Sequence, residues 1–149
     1  MAKKGIGIGC LVLILVIIMI YFLIGKSPED HAKAAIEAFY AFEQDGAFSD
    51  SWEMFHPLMQ EKFEKGHYLQ DRAHVFMNHF GVITFEYIVD DAEEVTEWQM
   101  EEEAEPIDTV YKATVSQVYK GKYGNFTLVQ EVFAVELDGE WRVLWDYNT

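Results

Sequence analysis

His56 is the side chain of this sequence best suited to act as a general base. It lies in the stretch SWEMFHPLMQEKF, among large apolar side chains and directly before Pro57. An imidazole changes charge near neutral pH, and apolar surroundings can tune its pKa for proton transfer. Tyr40 and Tyr111 could donate hydrogen bonds to a substrate. The competing interpretation is structural, because proline disfavours helix at the preceding residue and a His-Pro pair then marks a bend.

Three further histidines could bind a metal if they shared one face of a helix. His67, His74 and His79 are separated by seven and five residues, and these spacings do not bring all three to one face at ligand distance. The sequence also lacks an HExxH motif and the regular acid spacing of a calcium loop. It therefore predicts neither a metal site nor a cofactor.

Aromatic side chains are abundant enough to line a ligand pocket. Phe, Trp and Tyr make up 15% of the chain. The candidate lining, with His56 included, is Tyr40, Trp52, His56, Phe76, Trp141 and Trp145. The same aromatic residues are also what a small core needs for stability, so both interpretations stay open.

The charge of the chain excludes one class of partner. It carries 26 acidic and 11 basic side chains, a net charge of −15, and every acid follows Lys26. Nucleic acid requires a basic face, so we expect no nucleic-acid binding. A basic protein partner is compatible with this balance.

The acids are densest in one segment, residues 90–108, DDAEEVTEWQMEEEAEPID. It reads in part as an edge strand, and such charge protects an edge from pairing with other chains. The functional alternative is a docking surface for a basic envelope protein, with the candidate residues Glu101, Glu102, Glu103 and Glu105. Protection of the edge is the favoured interpretation.

An uncharged apolar run opens the chain. Residues 5–25 contain no charged side chain, and Cys10, the only cysteine, lies within them. A helix of about 20 apolar residues can cross a bilayer, whereas the apolar part of a signal peptide is shorter. The run therefore predicts an uncleaved transmembrane helix in contact with the lipid bilayer. Cys10 is expected as a small apolar residue of that helix, with acylation left open.

The charges beside the run predict its orientation. The short basic end MAKK favours a cytoplasmic position for residues 1–4, since positive charge stays inside. We therefore expect residues 5–25 to span the cell membrane once and residues 26–149 to form an extracytoplasmic domain.

In residues 26–149, the spacing of the apolar residues changes after Gly81 from a helical period to alternation. Apolar residues three or four apart predict three helices, the first capped at Ser27 and the second bent at Pro57. Strands follow, and an Asp138-Gly139 hairpin precedes the last one. The predicted fold is therefore α+β: an N-terminal transmembrane helix, then three helices packed on a curved antiparallel sheet of about four strands.

Two stretches carry a resemblance to a known family. AAIEAFYAFEQDGAFSDSWEMFHP in the helices and VFAVELDGEWRVLWD at the end resemble the nuclear transport factor 2-like superfamily, over about residues 28 to 149. The resemblance implies a cone-shaped α+β domain of the membrane-anchored extracytoplasmic type found in Gram-positive bacteria. Many domains of this fold pair through their sheets, so a homodimer is a further expectation. The family includes enzymes, ligand carriers and protein-binding domains, so the fold does not imply a function.

The site residues favour a protein that is not an enzyme. No aspartate occupies an apolar, inward position on the strands, where isomerase-like members of the family place their base. The leading hypothesis is a single-pass membrane protein whose non-catalytic outer domain binds or scaffolds another envelope protein. The alternative is a domain that binds a small ligand, or an enzyme of the lyase or isomerase type, using the cone cavity.

Overall fold

The structure is a computed structural model that describes residues 4–23, 25–79, 81–82 and 84–149. The side chains of residues 4–8, 21–23, 76, 77 and 79 lie outside this description. The helices are α1 (Lys4–Leu23), α2 (Pro28–Gln44), α3 (Phe48–Glu53), α4 (Pro57–Lys62) and α5 (Lys65–Ala73), and a π-helical segment, His74–His79, follows α5. The strands are β1 (Phe85–Val89), β2 (Glu93–Trp98), β3 (Ile107–Gly121), β4 (Gly124–Leu137) and β5 (Glu140–Trp145).

Local chemistry sets the boundaries of the helices. The Ser27 hydroxyl accepts a hydrogen bond from the Asp30 amide, and the Asp30 carboxylate accepts one from the Ser27 amide, which is the predicted capping box. Pro57 opens α4 as its first residue, so the predicted bend at His-Pro divides one helix into α3 and α4. Over the described residues the domain therefore has four α-helices, followed by the π-helical segment, where the sequence predicted three helices.

The five strands form one antiparallel sheet with β3 in the middle. β4 and then β5 lie on one side of β3, and both β1 and β2 pair with its other side. One residue more separates Val89 from Glu93 than separates their partners, Val115 and Lys112, so this edge contains a bulge. The sheet has five strands rather than about four, because the acid-rich segment supplies β2.

The hairpin between β4 and β5 has the predicted turn. Asp138 and Gly139 both have positive φ, 53° and 81°, as a type I′ turn requires. Helix α2 packs on the sheet through Ala32, Ile36 and Phe39, which are fully buried. The core thus lies between the helices and one face of the sheet, as the α+β prediction requires.

The N-terminal helix departs from the prediction. Side chains are described for residues 9–20 of α1, and all of them are exposed. Among the described residues, no helix combines the length and the apolar character that crossing a membrane requires. The expected transmembrane helix is therefore wrong as a description of this fold, and the location of the domain outside the cell stays a prediction.

Candidate functional site

Among the residues with described side chains, one carboxylate is buried inside the domain, that of Glu43 on the buried face of α2. Glu43 follows Phe39 by four residues and Tyr40 by three, so it continues their apolar stripe one turn further. Its side chain is 0% exposed. A buried charge is stable only if it is paired and hydrogen-bonded, so its partners determine what this residue can do.

Four donors surround the Glu43 carboxylate. Oε1 accepts hydrogen bonds from Ser51 Oγ at 2.6 Å and from Tyr68 OH at 2.5 Å. Oε2 accepts from Arg72 Nε at 2.7 Å and also from Arg72 Nη2. α3 and α5 supply these partners to α2, so the carboxylate joins three helices. All four of its strong acceptor positions are used.

The network continues from Arg72 to the sheet. Burial alone would lower the pKa of Arg72, but the charge of Glu43, together with its hydrogen bonds, raises that pKa overall. Arg72 acts on Tyr119 of β3, where its charge opposes the effect of burial on the pKa of the phenol, and the Tyr119 hydroxyl accepts from Gln117 Nε2 at 2.9 Å. Burial raises the pKa of Tyr119 to about 12, and it raises the pKa of Tyr68 further. Both phenols are therefore neutral and can act only as hydrogen-bonding groups near neutral pH.

A cavity of about 410 Å³ lies beside this network. Its wall is mainly apolar, and Glu43, Arg72 and Tyr119 form a polar part of it. The described lining comprises Glu43, Asp45, Gly46, Phe48, Arg72, Ala73, Val82, Thr84, Phe85 and Tyr119. A largely apolar wall with a few convergent polar groups is typical of small-molecule sites.

The arrangement is poorly suited to proton transfer. A general base needs a lone pair that can reach the substrate, whereas the four donors already occupy those of Glu43. Arg72 and Tyr119 contribute polar side chains to the cavity wall, an arrangement that suits recognition of a bound molecule.

His56 serves as a helix cap. Its Nδ1 accepts a hydrogen bond from the Leu58 amide at 3.2 Å, and its own amide donates to the Val143 carbonyl at 3.0 Å. Burial and the charge of Arg142 lower its pKa, which favours the neutral form that can accept this bond. It is absent from the described cavity lining, so the structural interpretation of the His-Pro pair fits its contacts.

The predicted aromatic lining is dispersed through the domain. Tyr40 packs against Phe85 within the core, and Trp145 lies edge-on to Phe55 with ring centroids 5.1 Å apart. Trp52 Nε1 donates to the Phe63 carbonyl at 2.8 Å. These contacts join the helical segments to the sheet and to one another. Tyr40, Trp52 and Trp145 are absent from the described lining of the 410 Å³ cavity.

Of the two remaining aromatic candidates, the structure describes the side chain of one, Trp141. Trp141 stacks on His31 with centroids 6.2 Å apart and lines a separate surface groove of about 550 Å³. The side chain of Phe76 lies outside the described residues. The structure therefore does not bring the six predicted residues together.

The acidic candidates lie on the loop between β2 and β3. Glu102, Glu103 and Glu105 are exposed, and Glu101 is partly covered and forms an ion pair with Lys62 at 2.8 Å. Glu101, Glu102 and Glu103 line a polar groove of about 750 Å³ together with Gln99, Tyr147 and Asn148. Over the described residues, no group of three or more potential ligands is placed to hold a metal ion.

Sequence reasoning missed the residues of the buried network. Glu43 carried a usable signal, since a carboxylate on the apolar stripe of an amphipathic helix requires a buried partner. Arg72 and Tyr119 carried none, because only the tertiary fold brings α5 and β3 to α2. Their role could not be read from spacing.

No protein-family model matches this chain, and no curated protein matches it. The resemblance to the nuclear transport factor 2-like superfamily therefore stays a prediction.

Proposed function

We propose that the domain is a non-catalytic binding module that holds a small, uncharged, mostly apolar molecule in the cavity beside Arg72. The observation that carries this proposal is the cavity itself, whose apolar wall ends in a neutralised Glu43–Arg72 pair. Its volume of about 410 Å³ falls within the range of small-molecule sites.

The charge pair supports a neutral ligand over an anion. An unpaired arginine would attract a carboxylate or phosphate, but Glu43 already neutralises Arg72 at hydrogen-bonding distance. An anion would also approach the Glu43 charge and lose its own hydration. A neutral carbonyl or hydroxyl avoids both penalties while still accepting a hydrogen bond from Arg72 or Tyr119.

Filling the cavity tests this proposal. Ala73 lines the cavity, and Ala73→Leu adds bulk there, whereas Ala104→Leu makes the same change at another partly buried position, in the acidic loop. A panel of neutral aromatic fragments is screened by ligand-observed NMR against the full chain and both variants. We expect hits that Ala73→Leu loses and Ala104→Leu keeps. Hits unaffected by Ala73→Leu, or no hits at all, would contradict the proposal.

A second candidate is binding of a basic envelope protein, supported by the open acidic groove. Glu102 and Glu103 are exposed on its wall, and Lys62 is engaged with Glu101 rather than with either of them. The test is crosslinking in intact cells with and without the combined substitutions Glu102→Gln, Glu103→Gln and Glu105→Gln. A partner lost on neutralisation supports this candidate, and a partner retained on neutralisation argues against it.

A further inference from the structure

One edge of the sheet is open, and its single charged residue, Glu131 at the end, pairs with Lys112 of β3. β5 pairs with β4 from Val132 to Leu137, and in the described part of the chain no strand pairs with the outer side of residues 124–131. The segment GNFTLVQ, residues 124–130, contains no charged residue. Val129 is 62% exposed and Leu128 44% exposed. We call residues 124–131 the open edge.

The other edges of the sheet are blocked. Val143 of β5 is bridged on its outer side by the segment around Phe55: the Val143 amide donates to Met54 O at 2.9 Å, and the His56 amide donates to Val143 O at 3.0 Å. The edge formed by β1 and β2 has a bulge and exposed acids, namely Glu86, Asp90, Asp91, Glu93, Glu94 and Glu97. Charges and bulges prevent strand addition, so the open edge is where a strand can add.

The open edge leads towards the acidic groove. Val132, which follows its last residue, pairs with Trp145, and Tyr147 of the groove wall comes two residues later. An extended chain advances about 3.3 Å per residue, so a strand added along β4 reaches the groove within a few residues. The two surfaces can therefore hold one continuous peptide.

Charge favours a basic partner over a second copy of this chain as the occupant of the open edge. A second copy would bring another net charge of −15 to the interface, whereas a basic chain is attracted. We propose that the open edge takes up an extended segment of a basic partner protein by strand addition, and that basic residues of this segment lie in the groove of Glu101, Glu102 and Glu103. This inference rests on the protein-binding candidate and is independent of the cavity ligand.

The contacts define the sequence of such a segment. Main-chain hydrogen bonds to β4 would supply affinity irrespective of sequence, and alternate side chains would contact one face or the other. Phe126 and Leu128 share one face of the strand with each other, and Val129 lies on the opposite face. The segment is therefore an alternating apolar stretch followed by lysine or arginine.

The probe is a synthetic fluorescent peptide of alternating valine and threonine that ends in a run of lysines. Its binding to the full chain is measured by anisotropy in a nonionic detergent that covers the exposed apolar residues of α1. Val129→Lys blocks the open edge. Ile88→Lys is the matched control, because Ile88 is 67% exposed on the same face of the sheet but on the acidic edge.

We expect Val129→Lys to weaken peptide binding at least about tenfold, and Ile88→Lys to change it less than about twofold. Combined Glu102→Gln and Glu103→Gln should weaken it about threefold or more, and a peptide with glutamates in place of lysines should not bind detectably. Equal binding to wild type and Val129→Lys, or equal binding of the glutamate peptide, would overturn the inference.

Sedimentation velocity on the same samples tests the alternative occupant of the open edge, a second copy of this chain. A wild-type dimer that Val129→Lys dissociates would assign the open edge to a second copy and overturn the inference. If Val129→Lys leaves peptide binding intact while the glutamine variants abolish partner crosslinking in cells, the assignment to the edge fails and the protein-binding candidate survives.

Discussion

Glu43 and the acidic loop between β2 and β3 place carboxylates in opposite surroundings. Glu43 is one acid with four hydrogen-bond donors and no exposed side-chain surface. The loop has four glutamates within five positions, of which Glu102, Glu103 and Glu105 are exposed and Glu101 pairs with Lys62. The clustered acids that stand out in the sequence therefore make few contacts with the protein. Glu43, which does not stand out in the sequence, joins three helices.

This difference teaches where an acidic side chain affects stability and where it affects recognition. A buried carboxylate that loses a partner leaves an uncompensated charge in a medium of low dielectric. An exposed carboxylate exchanges its partner for water with little change in free energy. Removing polar partners should therefore have effects that fall in the order of their burial.

Breaking the buried pair should have the largest effect. Arg72→Met leaves the Glu43 charge without its counter-ion, and we expect the free energy of unfolding to fall by about 3–5 kcal/mol in urea denaturation. The double variant Glu43→Leu and Arg72→Met removes both charges and should recover most of that loss. A single variant within about 0.5 kcal/mol of wild type would show that the pair is not structurally important.

Removing one neutral donor should have a smaller effect. Tyr68→Phe deletes a hydrogen bond to the charged Glu43, and we expect a loss of about 1.5–3 kcal/mol in the free energy of unfolding. Tyr123→Phe, at an 82% exposed position, is the matched control and should be neutral. Equal effects of the two substitutions would contradict the role given to Tyr68.

The raised pKa of Tyr68 adds a pH dependence to this prediction. Its contribution to stability is present below its ordinary pKa of 10.0 and is lost as the pH rises above that value, because the unfolded phenol ionises first. Alkaline unfolding curves should therefore decline less steeply in Tyr68→Phe than in wild type. An identical decline above pH 10 would count against the buried, neutral phenol.

The half-buried cap at His56 should give an intermediate effect. His56→Ala removes the acceptor for the Leu58 amide and should cost about 1 kcal/mol, whereas His56→Asn keeps an acceptor and should cost less. The cap stabilises only its own helix, α4. Fragment binding in the cavity should therefore be unchanged by His56→Asn. Loss of that binding would restore His56 as a site residue.

His56 also predicts a response to acid. Because its folded pKa is lowered, its contribution is present above the ordinary value of 6.5 and is lost as the pH falls through the folded pKa. Wild type should therefore lose stability below about pH 6.5 that His56→Asn retains. Parallel stability curves for the two proteins would contradict the neutral cap.

Neutralising the acidic loop should have the smallest effect on stability. The combined changes Glu102→Gln, Glu103→Gln and Glu105→Gln remove exposed charges, and we expect the free energy of unfolding to change by less than about 0.5 kcal/mol. Chemical denaturation of the triple variant checks this directly. A large loss would mean that the loop supports the fold rather than a partner.

The sequence predicted features that depend on a few neighbouring residues. The Ser27 capping box, the break at Pro57 and the Asp138-Gly139 turn each follow from backbone chemistry within four positions. β2 is harder to predict as a separate strand, because acidic residues have low strand propensity. Its pairing with β3 overrides that low propensity.

The candidate site depends on long-range packing and was therefore missed. Glu43 and Arg72 are 29 positions apart, and Tyr119 comes from the middle of the sheet. The aromatic candidates were chosen by residue type, but type does not distinguish a ring that lines a cavity from one that fills the core. Only the packing of α2, α3 and α5 against the sheet makes that distinction.

The most direct test of the account compares benzamide with benzoate, two molecules of similar shape that differ in charge. Their dissociation constants for the full chain are measured by backbone NMR titration. We predict that benzamide shifts the signals of Ala73, Val82 and Thr84, and that benzoate binds at least about tenfold more weakly, because Glu43 neutralises Arg72. Equal or tighter binding of benzoate, or shifts confined to other regions, would contradict a cavity built for an uncharged ligand.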